Sequence, residues 1–247
     1  MKITFLGTSH GVPSESRSCS SILLEVGEKA YLIDGGAPVA DILIKMGFDF
    51  SKIKAVFTSH SHSDHTYGML QFISLCNWHS KAVEMDIFLT EQELSDAIKN
   101  LLLATDKDGF DEARLRLKLA TEGEIYNDGT LKVTAIPTKH MEPYPSFAFI
   151  FEAEGKRFIY TGDLKGKTAE DFPEIAQKEP SDFIVTESAH FKAEVILEKL
   201  LNCPTKCAAI THIYSADIHA TVDTIKSTAK TSKIPLFVPN DGDEFII

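Results

Sequence analysis

The chain is expected to fold as an α/β sandwich, with sheets inside and helices outside. Three observations predict this. Short runs rich in β-branched and aromatic residues recur along two strand-rich halves. Segments with helical spacing are interleaved between them, the pattern that layers helices over sheets. No linker, internal repeat or low-complexity stretch divides residues 1–247, so one domain is expected.

Residues 2–6 read as a first strand, followed by the turn-forming loop Gly7-Thr8-Ser9-His10-Gly11-Val12-Pro13. Residues 20–26 and 29–33 form a hairpin about Gly27-Glu28, and Asp34-Gly35-Gly36 ends its second strand. A helix over 38–46 is stopped by Gly47. A buried strand over 53–57 and a helix over 66–76 flank residues 58–65. A strand over 86–90 and a helix from 91 to about 103 follow, the helix broken by Thr105-Asp106-Lys107-Asp108-Gly109. Residues 111–120 have helical composition. The second half alternates strands over 131–138, 146–152, 157–161, 183–186, 208–211 and 236–238 with helices over 170–178, 195–201 and 216–229. Residues 244–247 close a sheet edge.

The stretch Thr58-Ser59-His60-Ser61-His62-Ser63-Asp64-His65 places four metal-binding side chains within six residues, between a strand end and a helix start. In extended backbone His60 and His62 share a face and can address one ion. Asp64 and His65 lie past the bend, which suits a second ion. Imidazole with carboxylate favours zinc, iron or manganese over magnesium or calcium. Further ligands are sought at the ends of other strands: His140, Asp163 and His212 each follow one.

Composition limits the partners. Hydrophobic residues at 43% and charged residues at 25% are those of an ordinary globular chain. No apolar run reaches the roughly 18 residues that span a bilayer, and the N-terminus lacks a signal-peptide pattern, so a cytoplasmic protein is expected. A formal net charge of -11 with no dense Lys/Arg run disfavours long nucleic acid and leaves a small anionic substrate. Cys19, Cys76, Cys203 and Cys207 make no disulfide framework and read as reduced thiols. His79 and His219 are assigned no role, and a homodimer is left open.

The ordered set H-x-H-x-D-H, lone His, Gly-Asp after a strand, then Thr-His resembles that of metallo-β-lactamase-fold hydrolases over nearly the whole chain. Phe5-Leu6-Gly7-Thr8 through Gly11-Val12-Pro13, with Tyr31-Leu32-Ile33-Asp34-Gly35-Gly36, is most similar to the ribonuclease Z and phosphodiesterase branch. The resemblance implies a four-layer αββα sandwich holding two divalent ions, zinc first and manganese or iron(II) as alternatives. It assigns His60, His62 and His140 to one ion, Asp64, His65 and His212 to the other, and Asp163 to both, with Asp34 as a brace. An aspartate at 163, where true β-lactamases of this fold commonly carry cysteine, argues against antibiotic hydrolysis. Only 22 residues separate His140 from Asp163, so the long transfer-RNA-gripping arm that ribonuclease Z inserts there is missing.

The implied reaction is phosphodiester hydrolysis by a metal-bridging hydroxide. Two ions against Asp64, Asp163 and that hydroxide leave a site charge of about +1, which draws an anion into an acidic protein. Asp64 is expected to orient the nucleophile as well as bind metal. Thr186-Glu187-Ser188-Ala189-His190 partly resembles the Glu-Ala-Thr loop of ribonuclease Z. It makes His190, held in one tautomer by Glu187, the first candidate to protonate the leaving oxygen, with His10 second. Thioester or lactone hydrolysis on the same centre is the alternative, and a non-catalytic metal-binding module the alternative of another class. Pocket-shaping residues are expected within 78–124, with Trp78, Phe110 and Tyr144 as ring-stacking candidates.

Overall fold

The computed structural model describes residues 1–105, 109–214, 216 and 218–247. In chain order the strands are β1 (Lys2–Gly7), β2 (Ser21–Val26), β3 (Lys29–Ile33), β4 (Ile53–Phe57), β5 (Met85–Leu89), β6 (Leu115–Leu119), β7 (Gly123–Asn127), β8 (Lys132–Pro137), β9 (Phe147–Ala153), β10 (Lys156–Tyr160), β11 (Phe183–Ser188), β12 (Ala208–Ile213), β13 (Leu236–Phe237) and β14 (Glu244–Ile246). The α-helices are α1 (Val39–Lys45), α2 (Ser63–Trp78), α3 (Gln92–Thr105), α4 (Glu174–Lys178), α5 (Ala193–Leu200) and α6 (Ile218–Ala229). They build two seven-stranded sheets, ordered β14-β1-β2-β3-β4-β5-β6 and β13-β12-β11-β10-β9-β8-β7.

Alternation along the strands makes the layers. On β3, Tyr31 and Ile33 point between the sheets, while Ala30 and Leu32 point to the helices. On β9, Phe147, Phe149 and Phe151 face the other sheet, and Ile150 faces the helices. The core between the sheets is aromatic: Phe57 stacks on Phe88 at 5.3 Å, and Phe151 on Phe158 at the same spacing. Helices α1–α3 bury a second core against the first sheet, and α4–α6 a third against the second. The order is therefore α, β, β, α, the four-layer sandwich that the sequence implied.

Four elements differ from the sequence reading. Residues 111–120 are not helical; β6 pairs parallel with β5 from Met85↔Leu115 to Leu89↔Leu119. The period-two run Leu-Arg-Leu-Lys-Leu decides this, since Arg116 and Lys118 then share a face and both bond Asp86. Strand β7 went unread because its residues are only partly buried and carry little apolar signal. Helix α4 starts at Glu174, because Pro173 at its N-cap disfavours helical backbone in the residue before it. Helix α2 begins at Ser63, three residues early, so Asp64 and His65 lie in its first turn. The break expected at 105–109 and the helix start at 216 fall partly on residues outside those described; α3 ends at Thr105 and α6 begins at Ile218.

The strands β3–β6 run parallel, as do β10–β13. Asp34, His60, Asp163 and Glu187 lie at or just past the C-terminal ends of such strands, and His212 is the penultimate residue of β12. That end of a parallel sheet is where α/β folds open their crevices.

Candidate metal centre

Asp34 is the anchor. It sits at the end of β3 with φ +55°, a left-handed conformation that a non-glycine side chain adopts at a cost. The carboxylate is wholly buried and accepts four hydrogen bonds, from Ser59 N at 2.7 Å, Ser59 Oγ at 2.8 Å, His65 Nδ1 at 2.8 Å and Tyr160 Oη at 2.7 Å. It thus ties the loop after β4, the first turn of α2 and β10 together. Close backbone approach completes the brace: a Cβ on Gly36 would collide with the Asp64 carbonyl, and one on Gly68 with the Gly36 carbonyl.

Hydrogen bonding fixes the histidine tautomers. Ser59 spends its hydroxyl proton on Asp34, so its Oγ, 3.1 Å from His60 Nδ1, accepts from that nitrogen. His140 Nδ1 donates to the Leu164 carbonyl at 3.2 Å, and His65 Nδ1 donates to Asp34. With Nδ1 so engaged, each ring turns its Nε2 inward, although against the effect of burial the Asp163 and Asp34 carboxylates raise the His65 pKa well above its ordinary value. There His60 Nε2 lies 3.0 Å and His140 Nε2 3.2 Å from His62 Nδ1, while His65 Nε2 lies 3.2 Å from His212 Nε2. Lone pairs that face one another at such distances fit a cation between them. Outer nitrogens held by carboxylate, hydroxyl and carbonyl groups are the supporting shell of metal-binding histidines.

Asp163 is the hub. Gly162, with φ +58°, turns the chain after β10 and sends the aspartate into the cluster. Its Oδ2 lies 3.5 Å from His212 Nε2, 3.6 Å from His65 Nε2, 3.7 Å from both His60 Nε2 and His140 Nε2, and 3.8 Å from His190 Nδ1. Burial would raise its pKa, but the surrounding imidazoles, His212 and His65 foremost, hold it well below the carboxylate range. Asp64 is also held low against its burial, by His212 at 3.1 Å and by His65. Burial, with neighbouring rings, pushes His60 well down and keeps it neutral as a ligand must be.

All seven expected ligands come together. His60, His62, His140 and Asp163 form one group, and Asp64, His65 and His212 another, each with donor atoms within 4.8 Å of one another. A third grouping, Asp163, His190 and His212, overlaps them. Glu187, buried at the end of β11, accepts from Leu164 N, Ala189 N, His190 N and His190 Nδ1, the last at 2.8 Å. His190 is half-buried, 31% exposed at its side chain, and stands edge-on to His140 with ring centroids 4.6 Å apart. Burial would depress it, but Glu187 and Asp163 raise it to about 9. His10 stacks on Tyr214 and lies 6.2 Å from His212, its Nε2 buried without a partner among the described residues.

The groove beside the cluster is not built from 78–124. It is lined by residues of 188–194 and 214–224, with Tyr214 the aromatic that the sequence reading passed over. Phe110 packs in the helix-covered core of the first sheet. Between His140 and Asp163 stands only the antiparallel pair β9–β10, with no arm. The four cysteines are free thiols, Lys139 pairs with Glu170 at the surface, and among the described residues no helix is long and apolar enough to cross a membrane.

Set against known proteins, residues 1–234 match the model of the family described as Anti-Pycsar protein Apyc1. The chain belongs to that family. Ribonuclease Z of Bradyrhizobium diazoefficiens is 27% identical to this Apyc1-family chain over 181 residues, which make up 72% of it and 60% of the relative. The chain spans about half the length of the ribonucleases Z that it matches. Human tRNase Z, short form, superposes with a TM-score of 0.77 at 19% identity, covering 100% of this chain and 99% of that one. The metallo-beta-lactamase fold protein YhfI of Bacillus subtilis superposes at 0.79 and 16% identity, covering 99% and 98%. The fold is the metallo-β-lactamase sandwich, in its ribonuclease Z and phosphodiesterase-like branch.

Proposed function

We propose that the chain is a metal-dependent phosphodiesterase acting on a small phosphodiester or nucleotide-type substrate. Residues 1–247 serve as one hydrolase domain, in the cytoplasm. The observation that carries this reading is the packing of five imidazole nitrogens within 3.8 Å of one buried carboxylate oxygen of Asp163. His60, His62 and His140 would hold one divalent ion, Asp64, His65 and His212 a second, and Asp163 would touch both. Two such ions, zinc being the first choice, supply a hydroxide nucleophile at neutral pH and offset charge on the phosphoryl oxygens.

The chain's own groups do the rest. Asp64, at the N-terminus of α2, would orient the nucleophile as well as hold metal. Glu187 fixes the His190 ring through Nδ1, and Nε2 then has no protein partner among the described residues. That nitrogen holds the proton which the departing alkoxide takes. The relatives' name, ribonuclease, denotes cleavage of a phosphodiester polymer; the absent arm and the acidic surface favour a smaller diester here.

The test is metal content by plasma mass spectrometry with phosphodiester turnover on the same sample, for wild type and His62→Ala. About two equivalents with turnover are expected in wild type. His62 is solvent-facing at the cap of α2, so its loss should leave the fold while turnover falls by more than about 10²-fold, beyond the effect of outer-shell changes. Thioester turnover with none on diesters would transfer the centre to acyl chemistry. Full activity of metal-depleted His62→Ala would sink the mechanism.

A further inference from the structure

Three rings of the cluster are steered by their outer nitrogens: Nδ1 of His60, His65 and His140 is tied to Ser59 Oγ, Asp34 and the Leu164 carbonyl. His212 is not. Its Nδ1 is buried with no partner among the described residues, so the ring takes its aim from the backbone. That backbone is unusual. With φ +47° His212 is left-handed, a conformation that costs a non-glycine residue and persists only where the surroundings over-determine it. It is also the extra residue of a bulge: β11 and β12 pair Glu187↔Thr211 and then Ser188↔Ile213, which leaves His212 unmatched.

The loop after β1 holds this bulge. His212 N donates to the Thr8 carbonyl at 3.0 Å, and Thr211 Oγ1 donates to the same oxygen at 3.3 Å. Thr8 is wholly buried and is fixed in turn by a carboxylate in the turn between β13 and β14. Asp241 Oδ1 accepts from Thr8 N at 3.0 Å and from Thr8 Oγ1 at 2.8 Å, while Oδ2 accepts from Ser18 N at 2.6 Å. Arg17 Nη1 donates to Thr8 Oγ1 at 2.6 Å and to the Pro239 carbonyl at 2.8 Å, which locks the loop to that turn. Asp241 bonds no residue of the cluster among those described.

We propose that Asp241 is a positioning residue for the centre: it fixes Thr8, and the Thr8 carbonyl fixes the bulge that aims His212 Nε2 at Asp64 and Asp163. The proposal rests on the reading of the cluster as a metal centre. Two carboxylates then divide one triad between them, Asp34 setting His65 through its ring and Asp241 setting His212 through its backbone. Without Asp241, Thr8 N and Ser18 N lose their acceptor and the Thr8 carbonyl is free to turn. The bulge relaxes, and the ion at Asp64, His65 and His212 is held less well. The ion at His60, His62 and His140, whose rings are set by other elements, is spared.

Two readouts test this. The first is stepwise zinc binding to metal-stripped protein in competition with a chromophoric chelator. Asp241→Ala is expected to weaken one equivalent by about 10- to 100-fold, as for other outer-shell changes, and to leave the other unchanged. The second needs no metal: hydrogen exchange of the His212 amide by NMR, taken relative to the Ile184 amide of β11, which bonds the Cys207 carbonyl and reports the sheet. In Asp241→Ala that ratio should rise by about 5-fold or more, the weight of roughly one hydrogen bond. Asp241→Asn keeps one carbonyl oxygen for Thr8, so both shifts should be smaller with the same signs, and it carries the comparison if the alanine variant does not fold.

An unchanged exchange ratio overturns the proposal, because Asp241 then does not reach His212. Equal weakening of both equivalents overturns it too, since that is what a loosened fold would give, and so does a raised ratio with both affinities intact. A wild type that binds fewer than two equivalents, with the ratio still raised by Asp241→Ala, upholds the path from Asp241 to His212 and sinks the two-ion reading alone.

Discussion

Two carboxylate–imidazole pairs of equal length face the metal cluster from opposite sheets. Asp34 accepts from His65 Nδ1 at 2.8 Å, and Glu187 faces His190 Nδ1 at 2.8 Å. The first pair has no exposed surface on either side chain, whereas the His190 side chain keeps 31% of its surface. Depth separates their tasks. A ring with no access to solvent or substrate can only hold position, so Asp34 fixes the orientation of the His65 ring within the cluster. A ring at the groove's lip can exchange a proton with what enters, so Glu187–His190 is suited to acid catalysis. The same chemical unit thus serves as strut or as tool according to its burial.

Breaking the strut should have the largest effect. Asp34→Ala leaves Ser59 N, Ser59 Oγ, His65 Nδ1 and Tyr160 Oη buried without an acceptor. A loss of about 3–5 kcal/mol is expected in denaturant melts, as for a broken buried charged network. Asp34→Asn, which keeps one carbonyl acceptor, should fold and bind metal about 10- to 100-fold more weakly. Unchanged metal affinity in that variant would show that the brace does not govern the ligand.

Breaking the tool should spare stability and metal and cost turnover. His190→Ala is expected to lower kcat by about 10²–10⁴-fold with two equivalents of metal still bound. The overlapping group Asp163, His190 and His212 gives this experiment its second arm. Loss of one equivalent in His190→Ala would make His190 a ligand and erase the distinction between the two pairs.

The same contrast explains what could be read from sequence. His60 to His65 are contiguous and lie between a strand and a helix, so local periodicity located them. His140, Asp163 and His212 are isolated, but each ends or follows an apolar strand, and motif order joined them. The Asp34 brace was legible only through resemblance, because its four donors come from β10, α2 and the loop after β4. Tyr214 had no local signal at all; its meaning comes from stacking on His10, 204 positions away. Strand β6 was misread because helical composition outweighed a five-residue alternation, although pairing with β5 decides the element.

A third carboxylate sharpens the comparison from a site away from the cluster. Asp128, in the β7–β8 turn, takes Lys29 Nζ at 2.8 Å and Tyr31 Oη at 2.9 Å from β3, Tyr126 Oη at 3.1 Å, and the backbone N–H groups of Thr130 and Leu131. It clasps one sheet to the other as Asp34 does, but keeps 18% of its side-chain surface. Burial raises its pKa, yet Lys29 and the backbone donors outweigh that and bring it down to about 2. A carboxyl depressed in the folded state stabilises above its unfolded value near 3.9, and that stability is lost as pH falls towards 2. Asp128→Asn should therefore cost about 1–2 kcal/mol at pH 7, a fall of roughly 2–8 °C in Tm for a chain of this size. The difference from wild type should shrink between pH 4 and 2, while at pH 7 the two proteins bind equal amounts of metal. A cost that persists undiminished at pH 2 would mean that Asp128 acts by shape and not by charge, and partial burial would then matter less to these clasps than the two imidazole pairs suggest.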